Sequence, residues 1–149
     1  MREEIAQARQ TRTAQEEASR TAHRELVFRS LSDPVLQACW EPPTRPMTAA
    51  EWRQIAFTNL IVARWDNSFR LGRMTEDRLR GMLDGHFRGE RARAHWEQAG
   101  DGWVRHAHAG NNRRARRFAD IAAEQFRAAV AAGPAVAADA YFTPDVPSP

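Results

Sequence analysis

The sequence predicts an all-α protein: a single-domain bundle of about five to six helices around a buried central helix (48–71), with a long charged N-terminal helix. Two observations lead to this prediction. Apolar residues recur at spacings of three and four along several segments, and no segment alternates with the period of two that is typical of strands. Clusters of Gly and Pro divide these segments from one another. A chain of 149 residues is long enough to bury one core.

The N-terminal segment 2–31 is rich in Ala, Glu, Gln and Arg and contains neither Gly nor Pro, so it favours a helix by intrinsic propensity. Up to His23, Ile5 is its only large apolar residue. We therefore expect residues 1–24 to form a projecting charged helix, followed by a helical core domain over 25–132 and an irregular C-terminal tail over 133–149.

The central helix is predicted to start at a capping box formed by Thr48 and Glu51. Its apolar residues lie almost all round the helix, with Phe57, Ile61 and Trp65 opposite the main apolar arc. This pattern is typical of an interior helix that neighbours cover on several sides.

Two later helices are predicted over 76–88 and 113–132, each with a single apolar stripe. Between them, the apolar spacing continues through Trp96 and Trp103 but is interrupted by Gly100-Asp101-Gly102. That interruption predicts a kink or a turn between two helices.

The central helix also carries a line of polar residues, Asn59, Asp66 and Arg70, close to one another at the helical pitch. One interpretation is a structural network, in which Asp66 and Arg70 pair and Asn59 ties down a neighbouring helix. The other is a ligand or partner pocket with these three residues as its floor and Trp65 as its wall. With His86 or His95 nearby, such a pocket would serve a small-molecule binder or an enzyme.

Four of the five histidines lie between His86 and His108, but the patterns that helical metal sites use, Glu-x-x-His and His-Glu-x-x-His, do not occur among them. No nucleophile with a base and no paired carboxylates accompany them. The sequence therefore predicts no metal site, no cofactor and no identifiable catalytic residue.

The densest run of charge contains Arg113, Arg114, Arg116 and Arg117 at the start of a predicted helix. Such a basic patch can contact phosphates or an acidic partner, or it can be a solvated helix face. The isoelectric point near 10.3 adds little, because all 22 basic residues are Arg and the net charge is only +3. Nucleic acid is therefore a weakly supported partner.

No apolar run reaches the length of a membrane span, and the N-terminus lacks the apolar segment of a signal peptide. The single Cys39 cannot form an internal disulfide, which suits a reducing compartment. We expect a cytoplasmic protein.

Three groups of residues resemble a family of small helical actinobacterial proteins known only as a domain of unknown function. They are Leu31-Ser32-Asp33-Pro34-Val35-Leu36 with Cys39-Trp40, Asn59-Leu60-Ile61-Val62 with Trp65, and Trp96-Glu97 with Trp103. The resemblance covers about residues 20–130 and implies no established activity. Similar proteins often begin with a membrane-spanning segment, which this sequence lacks.

The function expected from the sequence is a non-enzymatic, intracellular helical domain for protein interaction or regulation. It would contact a protein partner or a second copy through the N-terminal helix. The first alternative is a nucleic-acid or anionic-ligand binder that uses the Arg113–Arg117 cluster. The second is a small-molecule binder or enzyme with its pocket near Asn59, Asp66 and Arg70.

Overall fold

The computed structural model describes residues 1–142, which form six α-helices and no strand, and this confirms the all-α class. The helices are α1 (Arg2–Ser32), α2 (Pro34–Gln37), α3 (Ala49–Arg70), α4 (Glu76–His86), α5 (Glu90–Ala109) and α6 (Arg113–Ala132), followed by a 3₁₀ turn at Ala138–Ala140. The chain divides into two compact units, Met1–Ala49 and Ala50–Pro149, which are described separately.

The N-terminal unit consists of the long helix α1 and the single turn α2. In α1 only Val27 and Ser30 are buried, as the scarcity of apolar residues before His23 predicts. The unit is tied together by Trp40, whose Nε1–H donates to Ser30 Oγ at 2.9 Å. Asp33 caps α2 by accepting from the backbone N–H of Val35.

The C-terminal unit holds the main core, in which α6 packs against both α4 and α5. Helix α3 contributes Val62 and Phe69 to the same cluster. The buried apolar side chains of this cluster come from all four helices and the turns between them: Val62, Phe69, Met74, Leu79, Leu83, Phe87, Ala92, Trp96, Phe118, Ile121 and Ala122.

Helix α3 is less enclosed than the sequence predicts. Its buried residues, Thr58, Val62, Asp66 and Phe69, form one stripe at spacings of three and four. Phe57, on the opposite side, is 51% exposed. Trp65, on the same side as Phe57, packs against the core and against His86 of α4. The cover predicted on several sides of α3 is therefore present at Trp65 but incomplete at Phe57.

Helix α5 runs without interruption from Glu90 to Ala109, so the alternative of a turn between two helices at Gly100-Asp101-Gly102 was wrong. Gly100 has a packing role instead. A Cβ atom at this position would lie 2.6 Å from Trp96 Nε1 and 2.8 Å from Trp96 Cδ1. The indole ring of Trp96 therefore lies directly over the helix backbone, where only glycine leaves room for it.

The segment after α6 lies against the start of α5. The backbone N–H of Val136 donates to the Arg88 carbonyl at 2.8 Å, and that of Glu90 donates to the Val136 carbonyl at 3.0 Å. Arg93 donates to the carbonyls of Phe87, Ala129 and Gly133, and so joins the ends of α4 and α6. Residues 143–149 of the predicted irregular tail lie outside the described residues.

Candidate functional site

The polar line predicted in α3 is divided between two separate sets of bonds. Arg70 Nε donates to Asp66 Oδ1 at 2.9 Å and lies 2.8 Å from Oδ2 of the same carboxylate. The Asp66 side chain is 6% exposed and that of Arg70 is 17% exposed. The two charged groups are therefore paired with each other.

Asn59 bonds instead to helix α5. Its Oδ1 lies 2.9 Å from Trp103 Nε1 and 3.0 Å from His95 Nε2. An indole N–H can only donate, so the atom facing it must be the amide oxygen. Because this oxygen only accepts, His95 must carry a proton on Nε2. Asn59 thus joins α3 to α5 with two hydrogen bonds.

Trp65 lies apart from the other three predicted residues. Its ring meets His86 edge to face, with 4.9 Å between the ring centroids. It also lines a shallow cavity of about 260 Å³ that neither Asn59 nor Asp66 nor Arg70 lines. This cavity therefore does not bring the four predicted residues together.

His86 and His95 are held in their neutral forms by burial. Desolvation lowers the pKa of His86 to about 4. Desolvation, with a smaller contribution from His86, also lowers the pKa of His95 to about 4. His95 Nδ1 and His86 Nε2 are buried without a hydrogen-bond partner among residues 1–142. Within the same residues, no group of three or more His, Cys, Asp or Glu side chains is arranged to hold a metal ion.

The four arginines of the basic run line one cavity of about 930 Å³, which we call the arginine pocket. The pocket lies at the N-terminus of α6, beside the turn between α3 and α4 and the end of α5. It is lined by Phe69, Gly72, Met74, Thr75, Glu76, His108, Arg113, Arg114, Arg116, Arg117 and Asp120.

Two local features shape this pocket. Gly72 has φ of 72°, a left-handed conformation that lets the chain leave α3 and start α4 within a few residues. Its N–H donates to the Phe69 carbonyl, and the N–H of Arg73 donates to the Ser68 carbonyl. On the other side, Asn112 caps α6 by accepting from the N–H of Ala115 at 3.0 Å.

Two of the arginines are positioned by neutral groups. Arg114 Nε donates to the Phe69 carbonyl at 2.6 Å, and its guanidinium carbon lies 4.6 Å from the centroid of the Phe69 ring. Arg116 donates to the Gly110 carbonyl at 2.8 Å. A carbonyl fixes a guanidinium without cancelling its charge, so both charges stay available, as do several N–H donors. The Arg113 side chain forms no hydrogen bond or ion pair with other residues in the range 1–142.

The other charges of the pocket are paired. Arg117 forms a two-pronged ion pair with Glu76, with N–O distances of 2.6 and 2.7 Å. The hydrogen bond from Arg117 lowers the pKa of Glu76, and the bond to Glu76 raises the pKa of Arg117. His108 Nε2 lies 2.7 Å from Asp120 Oδ1.

The pocket carries an excess of positive charge, because four arginines face only two carboxylates. A neighbouring cavity of about 580 Å³ has no such excess of charge. It is lined by Arg105, Arg117 and Arg127 and by the same number of acids: Asp101, Asp120 and Glu124. Arginines on α6 therefore do not by themselves give a cavity an excess of positive charge. The arginine pocket has such an excess, and the neighbouring cavity does not.

The four arginines are visible in the sequence, but their partners are not. Glu76 is 41 residues from Arg117, and the Phe69 carbonyl is 45 residues from Arg114. No local pattern connects residues so far apart. The acidic first turn of α4 was the one available signal, and it indicates a helix start rather than a pocket wall.

Comparison with protein-family models matches residues 2–141 to a family of unknown function, DUF6082. No curated protein matches the chain. No solved structure matches it either. Among residues 1–142, no helix combines the length and apolar character needed to cross a bilayer.

Proposed function

Since this chain belongs to DUF6082, a family of unknown function, we propose its role from its own geometry: it is a binding domain that holds a small anionic ligand in the arginine pocket. One observation carries this proposal. Arg114 and Arg116 are anchored by backbone carbonyls, so their positive charges are positioned but not neutralised. Guanidinium groups fixed in this way are suited to carboxylate and phosphate oxygens.

The first turn of α6 adds to the same field. The initial N–H groups of a helix have no partner within the helix and carry partial positive charge. An anion bound there would also relieve the repulsion between the helix N-terminus and its own arginines. The volume of about 930 Å³ falls in the range of small-molecule sites.

The geometry favours a compact anion over a nucleic acid. Glu76 and Asp120 line the pocket and would repel a continuous phosphate backbone. Phe69, the aromatic ring of the pocket, is only 3% exposed and is covered by Arg114, so it offers no platform for base stacking.

The proposal is tested by calorimetric titration of the full chain with inorganic pyrophosphate and phenyl phosphate. We expect binding that weakens as salt is added, and a loss of about tenfold or more in the R113Q/R116Q double variant. The matched control is R105Q/R127Q, which removes the same charge from outside the pocket and should retain most of the affinity. Equal losses in the two variants, or no binding by the wild type, would count against the pocket.

A second function is supported by the N-terminal unit. Val35, Phe28 and Leu26 are 76%, 63% and 61% exposed, which is unusual for large apolar side chains clustered in sequence. We propose that this unit contacts a protein partner or a second copy of the chain. Light scattering of the wild type and the L26S/F28S variant tests whether the unit contacts a second copy. A dimer that the variant loses supports this contact, and a monomer in both proteins rules it out.

The proposal includes a cytoplasmic setting. Cys39 is exposed and takes part in no disulfide, which supports a reducing environment.

A further inference from the structure

The Glu76 carboxylate already occupies one of the four guanidinium groups of the arginine pocket. It meets Arg117 through two nearly parallel N–H···O bonds, at 2.6 and 2.7 Å. This is the geometry in which arginine binds the carboxylate or phosphate of a ligand. The protein therefore supplies its own oxyanion to a site where a ligand oxyanion would fit.

Two features make this internal carboxylate displaceable. Both side chains are 43% exposed, and an exposed ion pair has little net strength because water screens it. Glu76 is also the first residue of α4, next to the capping residue Thr75, and the positive end of that helix would still stabilise it after release. The carboxylate can leave Arg117 without losing all favourable contacts.

We infer that Glu76 is an internal competitor for the ligand, and that the ligand is an organic carboxylate or phosphate ester whose head group takes its place on Arg117. This inference rests on the proposed function. Two observations set the ligand class. A two-pronged guanidinium site selects a head group with at least two oxygens, and the pocket is several times larger than an inorganic anion.

The test compares two variants that remove one negative charge from the same helical turn. E76Q frees Arg117, whereas D77N removes the charge of the next residue, which makes no ion pair with Arg117. With phenyl phosphate as the probe, we expect E76Q to bind about two- to fivefold more tightly than the wild type. D77N should gain clearly less. Circular dichroism confirms that both variants are folded.

A double-mutant cycle with R117Q separates competition from a general change of charge. If Glu76 acts by occupying Arg117, the E76Q gain disappears in the R117Q background. A gain of the same size with or without Arg117 would overturn the inference.

The outcomes for the two proposals are distinct. Binding by the wild type with equal effects of E76Q and D77N would leave the proposed function standing and reject the competitor role. Absence of binding in both wild type and E76Q would reject both proposals. Binding by E76Q alone would reject the proposed function of the wild-type chain and would show that Glu76 blocks the site. Parallel titrations with benzoate and benzyl alcohol identify the head group: the neutral alcohol should not bind, and binding of it as tight as that of the anions would contradict the inference.

Discussion

Asn59 accepts the indole N–H of Trp103 at 2.9 Å, and this bond joins α3 to α5 across 44 residues of sequence. The same oxygen faces His95 Nε2 at 3.0 Å. One amide oxygen therefore satisfies two donors from the neighbouring helix. Removing it would leave both donors buried or half-buried without a partner.

Replacing Asn59 with Ala should lower the free energy of unfolding by about 2–3 kcal/mol, the cost of unpaired polar groups in the interior. Asn111, exposed in the turn before α6, is the control. Its replacement with Ala should change stability by no more than about 0.5 kcal/mol. Denaturant unfolding measures both values, and similar effects of the two substitutions would argue against the role of Asn59.

Because Trp96 approaches Gly100 closely, replacing glycine with alanine should have opposite effects on stability at Gly100 and Gly102 of α5. Alanine in a helix interior is favoured over glycine by about 1 kcal/mol, so Gly102→Ala, which meets no atom within 4 Å, should stabilise the protein. Gly100→Ala would push against the indole and should be less stable than Gly102→Ala by about 1–3 kcal/mol. Thermal unfolding of the two variants gives the comparison, and equal stability would show that the ring moves freely.

The buried histidines predict a loss of stability in mild acid. The pKa values of His86 and His95 are about 4 in the folded protein, below the ordinary value of 6.5 that applies when the chain unfolds. Between pH 6.5 and 4 the unfolded chain therefore binds more protons, and stability falls as the pH falls. The fully buried His95 contributes at most about 1.4 kcal/mol per pH unit, and His86, which is only partly buried, contributes less.

The variant His95→Gln tests this linkage, because its amide can still donate a hydrogen bond but does not titrate. Urea unfolding at several pH values between 4 and 7 should give a shallower pH dependence in the variant than in the wild type. An unchanged slope would mean that His95 is not the source.

The sequence predicts the helices of the C-terminal unit because their signals are local. Thr75 and Asn112 stand at the starts of α4 and α6, and Gly72 allows a left-handed turn after α3. Each of the two helices has its own apolar stripe, which includes Leu79 on α4 and Phe118 on α6 and marks the buried face. These features depend on residues at most a few positions apart. Their recognition needs no knowledge of the tertiary structure.

The details that the sequence does not predict all depend on contacts between distant residues. Gly100 resembles a helix breaker until the position of the Trp96 ring is known. Phe57 resembles a core residue in the sequence, but half of its side chain is exposed in the folded chain. The arginine run is visible in the sequence, but the sequence does not show that Arg117 is paired with Glu76 while Arg114 and Arg116 remain uncompensated.

The central claim, that the arginine pocket holds an anion, is tested most directly by NMR of the arginine Nε–H groups during titration with phenyl phosphate. We predict that the signals of Arg114, Arg116 and Arg117 shift together and saturate, while those of Arg105 and Arg127 move little. Saturating shifts confined to Arg105 and Arg127, or no saturable shift in any arginine signal, would contradict the claim.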